Sequence, residues 1–107
     1  MLIFTNLMIP ARFGAETYGP ITFMRPKYKN DIGLQKHEEV HRNQFWSNPF
    51  FGIMYFFDKK ARAKYEAEAY KEQLKWYTDD RTDALATILA NNYKLGITVE
   101  EAKALLK

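Results

Sequence analysis

The chain has 107 residues, of which 47% are hydrophobic and 27% charged, with a formal net charge of +3. It contains no cysteine and two histidines, which excludes a disulfide framework, a thiol nucleophile, an iron–sulfur cluster and any cysteine-based zinc finger. The length suits a single domain spanning 1–107, and a transition metal would have to find histidine and carboxylate ligands.

Residues 2–9 are apolar and partly β-branched up to Pro10, and residues 20–25 begin with apolar–polar alternation before Pro26. Both read as strands, joined by a turn-rich loop that contains Gly14 and Gly19. Beyond a polar loop at 28–31, Leu34, His37, His41, Gln44 and Phe45 recur at three- and four-residue steps. This predicts a helix over 31–46, capped by Asn30 or Asp31 and broken at Ser47-Asn48-Pro49. The aromatic run 49–57 is far too short to span a membrane and is expected as core or as the wall of a cleft. An Ala-, Lys- and Glu-rich stretch predicts a helix over 59–77, and another follows at 82–93. Thr98 and Glu101 form a capping box that opens a last short helix to Leu106. The pattern is α+β: a small N-terminal β-sheet followed by an active-site helix and further helices.

Residues 25–64 hold nine basic and four acidic side chains. No nucleic-acid or membrane motif accompanies this excess, so solvated lysines are the expected reading. The first residues lack a basic leader and a cleavage site, and a cytoplasmic location is expected.

Both histidines fall in His37-Glu38-Glu39-Val40-His41, an H-E-x-x-H pattern. Four residues apart on a helix, two imidazoles project from one face and can grip one metal ion. In zinc peptidases the glutamate after the first histidine is not a ligand but the base that takes a proton from the metal-bound water, which assigns Glu38 that role. A catalytic zinc needs a third protein ligand and one open position. Gln44 and Ser47 stand where a metzincin continuation requires Gly and His, so with no histidine left the third ligand is a carboxylate on a later element. The candidates are Glu66 and Glu68. They lie about 200° apart round a helix, so only one of them can face the metal.

H-E-x-x-H followed by a glutamate on a later helix resembles the gluzincin branch of the zincin metallopeptidases. The chain is similar to small bacterial and phage metallopeptidase-like chains that carry H-E-x-x-H-x-x-Q and then an aromatic-Glu-x-Glu-Ala-Tyr run. Aligning Ala69 with the small residue of the branch's Glu-x-x-small-(Asp/Asn) motif implies His37, His41 and Glu66 as zinc ligands and Glu38 as catalytic base. Where other members carry an acidic residue that orients a ligand histidine, this chain has Tyr70. Its hydroxyl is a candidate stabiliser of a ligand or of the substrate oxyanion, with Tyr65 and Tyr77 as weaker ones. Gln44, one turn past His41, is a candidate partner of a ligand. The resemblance further implies that Ile21-Thr22-Phe23 forms the strand along the upper rim of the cleft, against which an extended substrate pairs. Glu16, in the N-terminal segment, is a candidate to occupy the open zinc position and so hold the chain latent.

The function expected is zinc-dependent hydrolysis of peptide bonds in a peptide or protein substrate. A zinc-stabilised accessory protein without turnover is the alternative, and a basic binding module with an accidental motif is a third. Retention of Glu38 favours the enzyme, because a purely structural site needs no base.

Overall fold

Three short strands open the chain in the computed structural model, which describes residues 1–48 and 50–107. They are β1 (Leu2–Phe4), β2 (Ala15–Tyr18) and β3 (Ile21–Met24). Five helices follow: α1 (Ile32–Ser47), α2 (Phe51–Phe57), α3 (Lys59–Leu74), α4 (Thr82–Asn92) and α5 (Val99–Leu105). The architecture is α+β, with the sheet first and the helices after it. Pro49, part of the expected helix break and the first residue of the aromatic run, lies outside the described residues.

The sheet order is β1-β3-β2, with β1 parallel and β2 antiparallel to β3. Three expectations change here. The first strand stops at Phe4 instead of continuing to 9. Beyond it the Arg25 guanidinium donates to the carbonyls of Asn6, Ile9, Pro10 and Phe13, so the carbonyls of this stretch are committed to a side chain and not to a ladder. The expected loop before Pro20 contains β2. Gly19, with φ +60°, takes the first central position of the two-residue loop Gly19-Pro20, where a II′ hairpin turn places glycine. Ala15–Tyr18 therefore folds back on Ile21–Met24. As a result β3 is central, and the expectation that Ile21-Thr22-Phe23 forms the cleft rim is corrected: the edge strand over the helices is β2.

α1 is capped by Asp31, whose side chain accepts from the Leu34 N–H, and α3 by Asp58, which accepts from Lys60 N and Ala61 N. α1 packs chiefly on α3. A Cβ at Gly33 would lie 2.6 Å from the Tyr77 ring, so only glycine allows this approach. Tyr77 donates to Asp31 Oδ1 at 2.9 Å and accepts from Gln73 Nε2 at 2.7 Å, which ties the end of α3 to the start of α1. α3 ends at Leu74, three residues before its expected end, and Lys75–Tyr77 turn toward that contact.

The buried face of α1 is Gly33, His37, Glu38, His41 and Gln44, helical in spacing and polar in chemistry. The apolar core lies elsewhere: Leu85, Ala86 and Leu89 of α4 meet Ala67 of α3 and Ala102 of α5. The Thr98–Glu101 capping box is present at the start of α5. Of the two places expected for the aromatic run, core is not found and the wall of a cleft is, lined by Phe51, Ile53 and Tyr55. Only Phe51 and Tyr55 of α2 are half-buried, and no residue of that helix is fully buried. Among the described residues, no helix is long and apolar enough to cross a membrane.

Because Leu89 is fully buried in the α3–α4–α5 core, Leu89→Ala should cost about 3 kcal/mol of unfolding free energy in a urea titration.

Candidate metal centre

A four-residue spacing on α1 stacks His37 and His41 on one face, and α3 brings Glu66 against them. His37 Nε2 and His41 Nε2 are 3.2 Å apart, and Glu66 Oε1 lies 3.3 Å from the first and 3.1 Å from the second. All three residues are buried. Two imidazole nitrogens and a carboxylate oxygen held this close set lone pairs against one another unless a proton or a cation lies between them. A tetrahedral zinc about 2.0–2.1 Å from each ligand would set the ligand atoms roughly 3.3–3.5 Å apart. The observed triangle matches that face within a few tenths of an ångström, so the three residues fit the ion.

Each ligand candidate is oriented from behind. His41 Nδ1 donates to Gln44 Oε1 at 2.8 Å, and Gln44 Nε2 donates to the Tyr65 carbonyl at 3.1 Å. This fixes the tautomer that leaves His41 Nε2 toward Glu66. The second oxygen of Glu66, Oε2, accepts from the Tyr55 hydroxyl. His37 is held by packing instead: the Tyr70 ring lies edge-on to its imidazole at 4.3 Å between centroids. His37 Nδ1 is buried without a hydrogen-bond partner among the described residues.

Charge follows from this geometry. Burial works to raise the Glu66 pKa, but the positive charge of His41 and the hydrogen bonds from both histidines outweigh it and hold the carboxylate ionised well below its usual range. Burial likewise works to lower the His41 pKa, and the Glu66 charge and hydrogen bond overcome it, carrying the imidazole up to about 10. Glu66 and His41 thus favour each other's charged form, so a metal ion entering the triangle competes with a proton on His41.

Glu38 stands beside the triangle with its two oxygens in different settings. Oε1 is 4.0 Å from His37 Nε2, whereas Oε2 accepts from Thr17 Oγ1 at 2.7 Å. Thr17 Oγ1 is 2.7 Å from Thr22 Oγ1, its cross-strand partner, and Thr22 Oγ1 accepts from Arg42 Nη1. A guanidinium only donates and an ionised carboxylate only accepts. The hydroxyls must therefore point one way: Arg42 to Thr22, Thr22 to Thr17, Thr17 to Glu38.

The remaining candidates fall as follows. Glu68 is exposed, on the far side of α3 from the histidines. The Tyr70 hydroxyl is 2.7 Å from the Tyr93 hydroxyl and so is engaged away from the triangle. Tyr65 accepts from Asn48 through its hydroxyl, and Tyr77 caps the α1 contact described above. Glu16, on β2, lines a cleft of about 430 Å³ together with His41, Glu66, Tyr55 and Phe51. Burial, and after it the charges of Glu38 and Glu66, push its carboxyl up to about 7.

Sequence reasoning missed Tyr55, Thr17, Thr22, Arg42 and Tyr93. Tyr55 had a signal, being the one hydroxyl in a run of phenylalanines. The threonine pair had none, because β2 was read as a loop. No family model, curated protein or solved structure matches the chain.

Two outcomes follow from the carboxylates. Thr17→Val leaves Glu38 Oε2 without its donor and should lower stability by about 2 kcal/mol in chemical denaturation, while Thr17→Ser should restore most of it. Glu16 binds its proton more tightly folded than unfolded, so between pH 4.5 and about 7 the folded state holds more protons and this group's contribution to stability falls as pH rises. Glu16→Gln in the metal-free protein should therefore match wild type near pH 4 and exceed it by on the order of 3 kcal/mol at pH 8.

Proposed function

We propose that the protein is a zinc-dependent peptidase in which His37, His41 and Glu66 hold the ion and Glu38 is the catalytic base. The observation that carries this reading is the triangle of His37 Nε2, His41 Nε2 and Glu66 Oε1, with edges of 3.1–3.3 Å. When bound, zinc acidifies a coordinated water and polarises a carbonyl oxygen.

The chain's own residues supply the rest. Thr17 holds Glu38 Oε2, which leaves Oε1 on the histidine side to take a proton and return it to the leaving amine. Tyr55 and Gln44 keep Glu66 and His41 from rotating away. β2 pairs with β3 alone, so its outer edge is open to an extended peptide entering the cleft beside His41 and Glu66. An accessible cleft at the ligands supports catalysis over a structural role, since structural zinc sites are closed by a fourth protein ligand.

Purified protein supplemented with zinc should carry about one zinc per chain, and less than about half would sink this reading. Glu66→Ala should weaken zinc binding more than about a hundredfold, whereas Glu68→Ala should leave it unchanged. Glu38→Gln should keep both fold and zinc but lower the rate of peptide cleavage, followed by mass spectrometry on a peptide library, by at least about a hundredfold. Undiminished cleavage by that variant would remove Glu38 from the mechanism.

A further inference from the structure

The helix α2 presents an apolar surface that the metal centre does not use. Its inward side is occupied: Phe51 packs on Tyr65 at 4.7 Å between centroids, and Tyr55 bonds Glu66. Its outward side is not. Ile53, Phe56 and Phe57 are 61%, 73% and 80% exposed, Phe50 just before the helix is 63% exposed, and Trp46, four residues before Phe50 in the chain, is 71% exposed. Phe50, Ile53 and Phe57 are spaced by three and four residues and form one stripe, with Phe56 next to it. A helix apolar on all sides is normally buried, and an exposed apolar patch of this kind marks an interaction site.

The surroundings of the patch are cationic. Lys59 and Lys60 follow it directly in the chain and are exposed. Arg12 and Lys94, also exposed, border the same hollow as Phe56, and Arg62 donates to the carbonyls of Tyr55 and Phe56. The one carboxylate in the adjoining turn, Asp58, is committed to the backbone N–H groups of Lys60 and Ala61. Aromatic and aliphatic side chains thus stand out from the surface inside a rim of positive charge.

We infer that this face docks on an anionic lipid surface, with Trp46, Phe50, Ile53, Phe56 and Phe57 entering the boundary between headgroups and acyl chains and the basic rim meeting lipid phosphates. Three observations favour lipid over the other occupants. Phe50, Phe56 and Phe57 are 63–80% exposed and protrude even where, like Phe56, they edge a hollow, and a protruding ring inserts more readily than it receives a peptide side chain. Apart from the Trp46 indole, the patch has no side-chain hydrogen-bond donor with which to register a specific protein or nucleic-acid surface. The charge around it is mostly of one sign, with Arg12, Lys59, Lys60, Arg62 and Lys94 against Asp58 and Glu16, which disfavours a second copy of the same face and attracts acidic headgroups. At seven residues the helix lies on the bilayer and cannot span it. The inference stands independently of the zinc chemistry.

The test is flotation of the full chain with vesicles of phosphatidylcholine alone and of phosphatidylcholine mixed equally with phosphatidylglycerol. The protein should float with the mixed vesicles and much less with phosphatidylcholine alone, and added salt should release it. Phe56→Ser/Phe57→Ser should cut the bound fraction by about tenfold or more, and Lys59→Glu/Lys60→Glu should abolish the preference for phosphatidylglycerol. In Trp76→Phe, which leaves Trp46 as the sole indole, emission should shift to the blue on vesicle addition. Failure to float with either vesicle overturns the proposal, as does flotation unaffected by the phenylalanine substitutions. So does a concentration-dependent dimer in sedimentation that those substitutions abolish, which would make the face a contact between copies of the chain.

Discussion

Two imidazoles and a carboxylate converge on Glu66 Oε1 in the middle of the α1–α3 interface, where an unpaired charge would be costly. The polar groups around that point are arranged to hold it. Gln44 takes the far nitrogen of His41, Tyr55 takes the far oxygen of Glu66, and the Tyr70 ring lies against His37. Removing any of them leaves a buried polar atom or a void, so the centre is over-determined by its neighbours. The apolar core on the other side of α3 supplies the rigidity that such pre-organisation needs. α3 belongs to both: Glu66 faces the histidines, and the adjacent Ala67 faces Leu85 and its neighbours.

The same arrangement explains why the buried stripe of α1 is polar. An ordinary surface helix buries leucines; this one buries His37, Glu38, His41 and Gln44. A helix that sets hydrophilic side chains inward loses burial free energy, and each of these four finds a partner across the interface. Conflict between local chemistry and the usual pattern of burial is characteristic of functional sites.

Much of this was legible in the sequence. The α+β class, four of the five helices and the inward face of α1 follow from periodicity, caps and proline placement. Helix geometry showed that Glu66 and Glu68 could not both face the histidines, and the resemblance to the gluzincin motif singled out Glu66. What escaped depended on tertiary contacts. β2 was hidden because its pairing is made by the hairpin turn at Gly19 and not by its own alternation, and with it went Thr17 and the true edge of the sheet. Arg25 ended the first strand early by drawing carbonyls from a loop that lies ten and more residues before it in the chain. The aromatic run reads as core by composition. Its exposure is set by the placement of α2 at the rim of the cleft, which no local pattern encodes.

The hydroxyl row from Arg42 to Glu38 has a further consequence. Thr17 gives its one hydroxyl hydrogen to Glu38 Oε2, so it meets Thr22 as an acceptor, and Thr22 in turn accepts from Arg42. The two chemically identical oxygens of a carboxylate are made inequivalent by a pair of strand threonines, and the sheet works as a latch on the side chain: it holds Oε2 and leaves Oε1 on the side of the histidines.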